Sequence, residues 1–329
     1  MSTLVIAELS ANHNGSIELA LQTIRAAAEA GADAVKLQTY TADTITIDHD
    51  GPGFVIEDGL WKGRKLFDLY YEAHTPWDWH ERLFQEARDH GLFCFSSPFD
   101  PTAVDLLESL GNPIYKVASF EITDVPLIEY IASKGKPVVI STGIATEEEI
   151  ADAIDACKRM GNDRVTLLKC TSAYPAPIED ANLKTMVDMR QRFGVPTGLS
   201  DHTMGHTVAV AAVALGATMV EKHFILDRSL GGVDSAFSME PAEFKAMVDQ
   251  IRLTEAALGS VTYEMTEKKM KSRQFSRSLY AVRDISIGEA FTPENVRSIR
   301  PGWGANPANM RTLLGTNASR SFKYGDPIE

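Results

Sequence analysis

Eight times before residue 258 a short apolar run rich in β-branched residues gives way to an amphipathic segment. The runs are Leu4–Leu9, Ala34–Thr39, Leu92–Ser96, Ile114–Ala118, Pro137–Ser141, Val165–Cys170, Val195–Ser200 and Thr218–His223. Strict alternation of strand and helix implies parallel strands, since a crossover helix must return the chain to the same end of the sheet each time. Eight such units in roughly 250 residues fit an α/β fold of the (β/α)8 barrel type better than an open doubly wound sheet. No GxGxxG follows any run, which removes the usual dinucleotide fingerprint. Local signals agree with this spacing. Ile17, Ala20, Leu21, Ile24 and Ala28 share a helix face between Ser16 and Gly31, and Thr146 with Glu149 forms a capping box ahead of a helix stopped at Gly161.

Two segments depart from a plain barrel. Thr41–Thr75, after the second strand, is long enough to act as a lid over the barrel mouth. After the last barrel helix a charged linker, containing Lys268, Lys269, Lys271 and Arg273, leads to a stretch of short strands, Gly turns and prolines. The expected organisation is a barrel over 1–260, a solvated linker over 261–275 and a small β-rich module over 276–329. A module of that size is marginal without a partner surface.

Of the 329 residues, 32 are Lys or Arg and 45 are Asp or Glu, for a formal charge of -13. That balance argues against nucleic acid or an acidic membrane as partner. The opening MSTLVIAELSANHNG has neither a basic leader nor a long apolar stretch, so a cytoplasmic location is expected. Cys94, Cys157 and Cys170 lack metal-type spacing and read as core residues.

The polar strand ends carry the functional information, because barrel enzymes place their chemistry at the carboxyl ends of the strands. Those ends bring Glu8; Lys36 and Gln38; Ser96 and Ser97; Lys116 and Ser119; Ser141 and Thr142; Lys169, Thr171 and Ser172; Ser200, Asp201 and His202; and Glu221, Lys222 and His223. Strand alternation lets Glu8 face inward with Ser10, Lys36 with Gln38, and Glu221 with His223. Lysines and hydroxyls converging there suit a phosphate or carboxylate, although an internal ion pair is the plain alternative for any single lysine. His202 and His223, on neighbouring strands, with Glu8 and Asp201 nearby, offer a nitrogen and oxygen ligand set for a divalent metal. General-base or structural roles suit the same imidazoles. His13, in NHNG, is a third candidate, while His49, His74, His80, His90 and His206 read as surface or capping residues.

The segments IAELSANHNG, GADAVKLQTY, FSSPFD, YKVASFEITD, VVISTG, KCTSAYPAP, GLSDHT and VEKHFILDRS resemble the sialic acid synthase family, and SIGEAFTPENVRSIRPG resembles that family's C-terminal antifreeze-like (SAF, β-clip) domain. Within the family, AELSANHNG, TPWDWH and SFEITD are most similar to the pseudaminic branch; the neuraminate and legionaminate branches are the alternatives. The resemblance implies metal-dependent condensation of phosphoenolpyruvate (PEP) with an acetamido sugar, in this branch 2,4-diacetamido-2,4,6-trideoxy-L-altrose. It implies that Lys36, Ser97, Lys116, Ser119, Ser141, Ser172 and Ser200 hold PEP, with Ser172 standing where some members carry Asn. His202 and His223 would bind the metal, Mn²⁺ first with Co²⁺ or Mg²⁺ as alternatives. Glu8, Glu121, Tyr174, Glu221 and Asp234 would handle the sugar or a water, with Glu8 preferred over Glu121 for the water. Arg300 would enter a neighbouring subunit's site in a homodimer with exchanged C-terminal domains. Two readings from other classes compete. A class I aldolase would use Lys169 or Lys116 as a Schiff-base nucleophile, and a non-catalytic sugar-binding protein would leave the polar strand ends without a purpose. A phosphosugar isomerase barrel would need no C-terminal module.

Overall fold

The computed structural model describes residues 2–329. The chain divides into two compact units, Met1–Gly259 and Ser260–Glu329. In the first, eight parallel strands close into a barrel: β1 (Leu4–Glu8), β2 (Ala34–Thr39), β3 (Phe93–Pro98), β4 (Tyr115–Val117), β5 (Val138–Ser141), β6 (Val165–Cys170), β7 (Thr197–Asp201) and β8 (Met219–His223). Each coincides with one of the eight apolar runs to within two residues at either end. The helix signals also act as read: the Ser16 hydroxyl accepts from the Leu19 amide, and Thr146 and Glu149 cap each other's backbone.

Alternation along the strands separates two apolar regions. Outward residues such as Val5, Ala7, Val35, Leu37 and Leu167 join the helices in the main core. Inward residues Ile6, Ala34 and Phe95 form a small plug at the amino-terminal end of the barrel, flanked by Leu4, Ile114 and Met219. Above that plug the inward positions turn polar, and register sets Glu8 opposite both Lys36 and His223, and Ser200 opposite Glu221.

The same alternation corrects one expectation. Asp201 faces outward, where its carboxylate takes a 2.6 Å ion pair from Lys222 and bonds from the Thr203 amide and hydroxyl. Lys222 also donates to the Thr203 carbonyl at 2.6 Å. Asp201 therefore belongs to a fully buried brace between β7 and β8, away from the imidazoles. His80 needs a second correction. It is wholly buried, and one ring nitrogen lies 2.8 Å from the Thr39 hydroxyl, itself bonded to Ser96. Desolvation holds its pKa down to about 4, so the ring is a neutral strut behind β2 and β3.

The long segment after β2 is folded. Short helices cover Ala42–Ile45 and Leu66–Ala73, and residues 54–66 form a hairpin-like turn tied by a Val55–Lys65 bridge. In the second unit β9 (Ser278–Ala281) pairs antiparallel with β10 (Val296–Ile299). A separate core of Leu279, Ala281, Ile285, Phe291, Val296, Ala318, Phe322 and Ile328 fills it. The segment read as a linker carries a helix, Glu267–Arg273, whose lysines and arginine are exposed. No described helix is long and apolar enough to cross a membrane.

Breaking a buried ion pair on one side strands the other charge. Lys222→Met should cost about 3 to 5 kcal/mol, whereas Asp201→Leu combined with Lys222→Met should recover part of that loss. Denaturant unfolding of both variants provides the comparison; a double variant as unstable as the single one would assign the cost to packing instead.

Candidate active site

Lys36 occupies the centre of the polar layer. Its ammonium lies 2.8 Å from Glu8 and 3.7 Å from Glu221, and donates to Ser97 at 3.3 Å. Lys116 approaches Glu221 at 3.9 Å, and Ser200 donates to the same carboxylate at 3.3 Å. All these side chains are buried. Burial alone would discharge Lys36, but Glu221 and Glu8 beside it hold its pKa above the ordinary lysine value. Burial likewise opposes ionisation of Glu221, yet Lys116 and Lys36 outweigh it and lower its pKa. Glu8 is pushed up, chiefly by burial, against the pull of Lys36. Lys116, with weaker compensation, is pushed down by burial.

Several buried polar atoms in this layer have no protein partner: the Ser141 hydroxyl, one Glu221 oxygen, one Glu121 oxygen and Nδ1 of His223. Leaving such groups unpaired is costly, so their concentration at one place points to a ligand. Gly143, just beyond β5, adds a backbone amide that donates to Ser119 at 3.2 Å. A Cβ there would lie 2.1 Å from the Ser172 hydroxyl and 2.8 Å from that of Ser119. Only glycine lets the β4, β5 and β6 ends converge this closely.

The imidazoles of His202 and His223 lie side by side, tilted 55° to each other with ring centroids 5.2 Å apart. Phe237 packs on His223 at 4.9 Å, and Tyr174 packs on His202 at 4.6 Å. Burial first, then His202 and the nearby lysines, hold His223 well below its usual pKa, leaving it neutral. Its Nδ1 lies 3.9 Å from Asp234, which is bonded to Ser10. Among the described residues no group of three or more His, Cys, Asp or Glu converges as a metal cage. His13 lies outside this pair: its Nδ1 accepts from the Gly15 amide and its ring packs edge-on against Trp79.

These elements open on a cavity of about 530 Å³ whose lining includes Ser10, Gln38, Tyr40, Ser119, Glu121, Tyr174, His223, Asp234 and Phe237. Glu8 is joined to it through Gln38, which donates to Glu8 at 2.9 Å and to Ser10 at 3.0 Å. Glu121, on a 3-10 turn after β4, is raised to about 7, mainly by burial, with Lys116 opposing. Lys169 does not present a free amine, because it folds back onto the Cys170 carbonyl at 2.7 Å. Arg300 is exposed on the second unit, one residue past β10.

Sequence reasoning placed Gln38 inward beside Lys36 but passed over Gly143 and the cavity-lining side chains of the long segment. Gly143 in STG follows Ser141 by two residues, a signal that was there to read; the others depend on how distant segments meet.

A closed parallel barrel with lysines, hydroxyls and paired imidazoles converging at its carboxyl-terminal mouth defines a barrel enzyme for an anionic substrate. The NeuB family model matches residues 23–263 and the SAF domain model matches residues 276–329. The chain belongs to the NeuB family. It is similar to the pseudaminic acid synthase of Campylobacter jejuni, with 49% identity over 99% of this chain and 95% of that protein. The N,N'-diacetyllegionaminic acid synthase of Legionella pneumophila is 37% identical over 100% of this chain and 94% of that protein. Among solved structures, the N-acetylneuraminic acid synthetase of Leptospira borgpetersenii in complex with citrate is 30% identical and superposes with a TM-score of 0.73. That match covers 83% of this chain and 90% of the other.

Two outcomes follow from this geometry. Gly143→Ala should force the Ser119 and Ser172 hydroxyls aside, raising KM for an anionic substrate at least roughly tenfold while the fold and its melting temperature persist. Steady-state kinetics beside thermal melts would test it. For Glu121, a folded pKa of about 7 against the ordinary 4.5 means that the neutral acid is favoured in the folded state. Stability should therefore fall as pH rises from about 4.5 through about 7, by up to roughly 3 kcal/mol. Glu121→Gln should abolish that fall, as read by denaturant unfolding at pH 5 and pH 8; an unchanged slope would locate the titration elsewhere.

Proposed function

We propose that this chain is a pseudaminic acid synthase. It condenses PEP with 2,4-diacetamido-2,4,6-trideoxy-L-altrose and water to give pseudaminic acid and inorganic phosphate. The observation that carries the reading is the buried layer around Lys36 and Lys116, whose unpaired Ser141, Glu221 and His223 atoms await a polar ligand beside a sugar-sized cavity. The difference between 49% identity to a pseudaminic acid synthase and 37% to a legionaminic acid synthase supports the choice of branch.

Lys36, Ser97, Lys116, Ser119, Ser141, Ser172 and Ser200 hold PEP, the two ammonium groups offsetting its phosphate and carboxylate charge and the hydroxyls orienting the oxygens. His223 suits a divalent cation, being neutral with a buried Nδ1 that has no hydrogen-bond partner, and His202, whose Nδ1 is engaged by the Thr171 carbonyl at 3.1 Å, would join it as the second ligand once deprotonated. Bound there, Mn²⁺, Co²⁺ or Mg²⁺ supplies Lewis-acid polarisation of the sugar aldehyde.

The chain's own residues carry the remaining chemistry. Tyr174 and Asp234 orient the open-chain sugar so that its aldehyde carbon faces C3 of PEP. A carbon–carbon bond forms there as electrons leave the PEP double bond, and positive charge develops at C2. Glu8, held by Lys36 and Gln38, stabilises that charge and takes a proton from the water that adds at C2. Glu121, poised near neutrality, supplies a proton to the new C4 hydroxyl. Glu221 keeps both lysines charged and aligned. The hemiketal phosphate then collapses with C–O cleavage to the ketone and phosphate. Arg300 completes the site across a homodimer with exchanged C-terminal domains, where its guanidinium suits an acetamido oxygen.

PEP carrying ¹⁸O in its bridging oxygen should deliver the label to inorganic phosphate when this sugar is supplied. Label in the keto acid would refute C–O cleavage, and no phosphate release with any acetamido sugar would refute the function.

A further inference from the structure

The long segment after β2 contributes one kind of surface to the cavity. Although it is rich in Asp, Glu, Lys and Arg, the side chains it places in the lining are Ile45, Ile56, Trp61, Leu66, Leu69 and Tyr70, with Ala73. The acidic lining comes instead from Glu121 and Asp234, beside the neutral imidazole of His223. A segment of this composition has turned its charges away from the cavity and presented a largely apolar wall to it, part aliphatic and part aromatic.

That wall is held in place. The Ile56 amide donates to the Arg64 carbonyl at 2.9 Å, the Gly63 amide to Ile56 at 2.7 Å, and the Leu66 amide to Phe54 at 2.9 Å. Lys65 is clamped by Asp48 and Asp50. The tip is anchored to the loop after β8, because the Trp61 indole donates to the Val233 carbonyl at 2.9 Å. Trp61 also packs on Tyr174, the residue that packs on His202. The wall therefore stands in register with the reacting end of the site.

Resting on the acetamido-sugar reading, we propose that this wall reads the methyl groups of the acceptor, with Ile56 and Leu66 as the residues that select a 6-deoxy sugar over one bearing a hydroxyl there. A methyl against Ile56 and Leu66 leaves water and keeps its contacts. A hydroxyl packed against Ile56 and Leu66 loses its water partners and gains no donor or acceptor from these two side chains, so it is disfavoured. Discrimination by such a pocket spans about 10- to 200-fold per group. Ile56 and Leu66 are half-buried, so a polar replacement can be made there without opening the main core.

The test compares kcat/KM for the 2,4-diacetamido-6-deoxy sugar with that for N-acetylmannosamine, at saturating PEP, in the wild type, Ile56→Asn, Leu66→Asn, Ile56→Val and Leu66→Met. The Asn variants should lose at least tenfold of the wild-type preference, chiefly through KM for the deoxy sugar, with KM for PEP unchanged. The Val and Met variants should stay within threefold of wild type. Should an Asn variant fail to fold, Ile56→Ala and Leu66→Ala must show the same direction of change. A preserved preference in folded variants would overturn the wall while leaving the synthase reading intact. A wild type that condenses only hydroxylated sugars would overturn both.

Discussion

Lys36 between Glu8 and Glu221 is the interaction on which the rest of the site depends. An isolated ammonium in a barrel interior would be discharged, and an isolated carboxylate would be protonated. The two carboxylates keep Lys36 charged, while Lys36 and Lys116 together hold Glu221 ionised. The group as a whole is nearly balanced, yet it leaves Ser141 and one Glu221 oxygen without partners. An anion entering this layer completes a network already arranged for it, which limits the reorganisation needed during reaction.

Keeping that network in place falls to groups that never face the cavity. The Asp201–Lys222 pair ties the ends of β7 and β8 from outside, so that the next residues along, His202 and His223, meet inside. His80 does related work behind β2 and β3 through Thr39 and Ser96, opposite the face that presents Gln38 and Ser97. Gly143 brings three strand ends together by lacking a side chain. Inward chemistry and outward bracing thus alternate residue by residue, as the pleat requires.

The eightfold barrel, the strand limits, the helix caps and the inward parity of Glu8, Lys36, Glu221 and His223 were all determined by the sequence alone. Each depends on periodicity or on neighbours a few residues apart, and the closed barrel then sets strands 1 and 8 side by side without further information. Recognition of the family rested on short motifs at those same strand ends. Tertiary structure decided the rest. Asp201 was misplaced because a polar residue one position off the inward set looks no different in sequence from one facing inward, and His80, which opens a helix, because its burial depends on meeting Thr39 of a distant strand. The placement of the apolar wall on the long segment was illegible because that segment is rich in charged residues, and only the hairpin at 54–66 and the Trp61 anchor determine which side chains turn inward. Long-range packing chooses among exposures that local pattern leaves equivalent, and in this chain that choice shaped the pocket rather than the barrel.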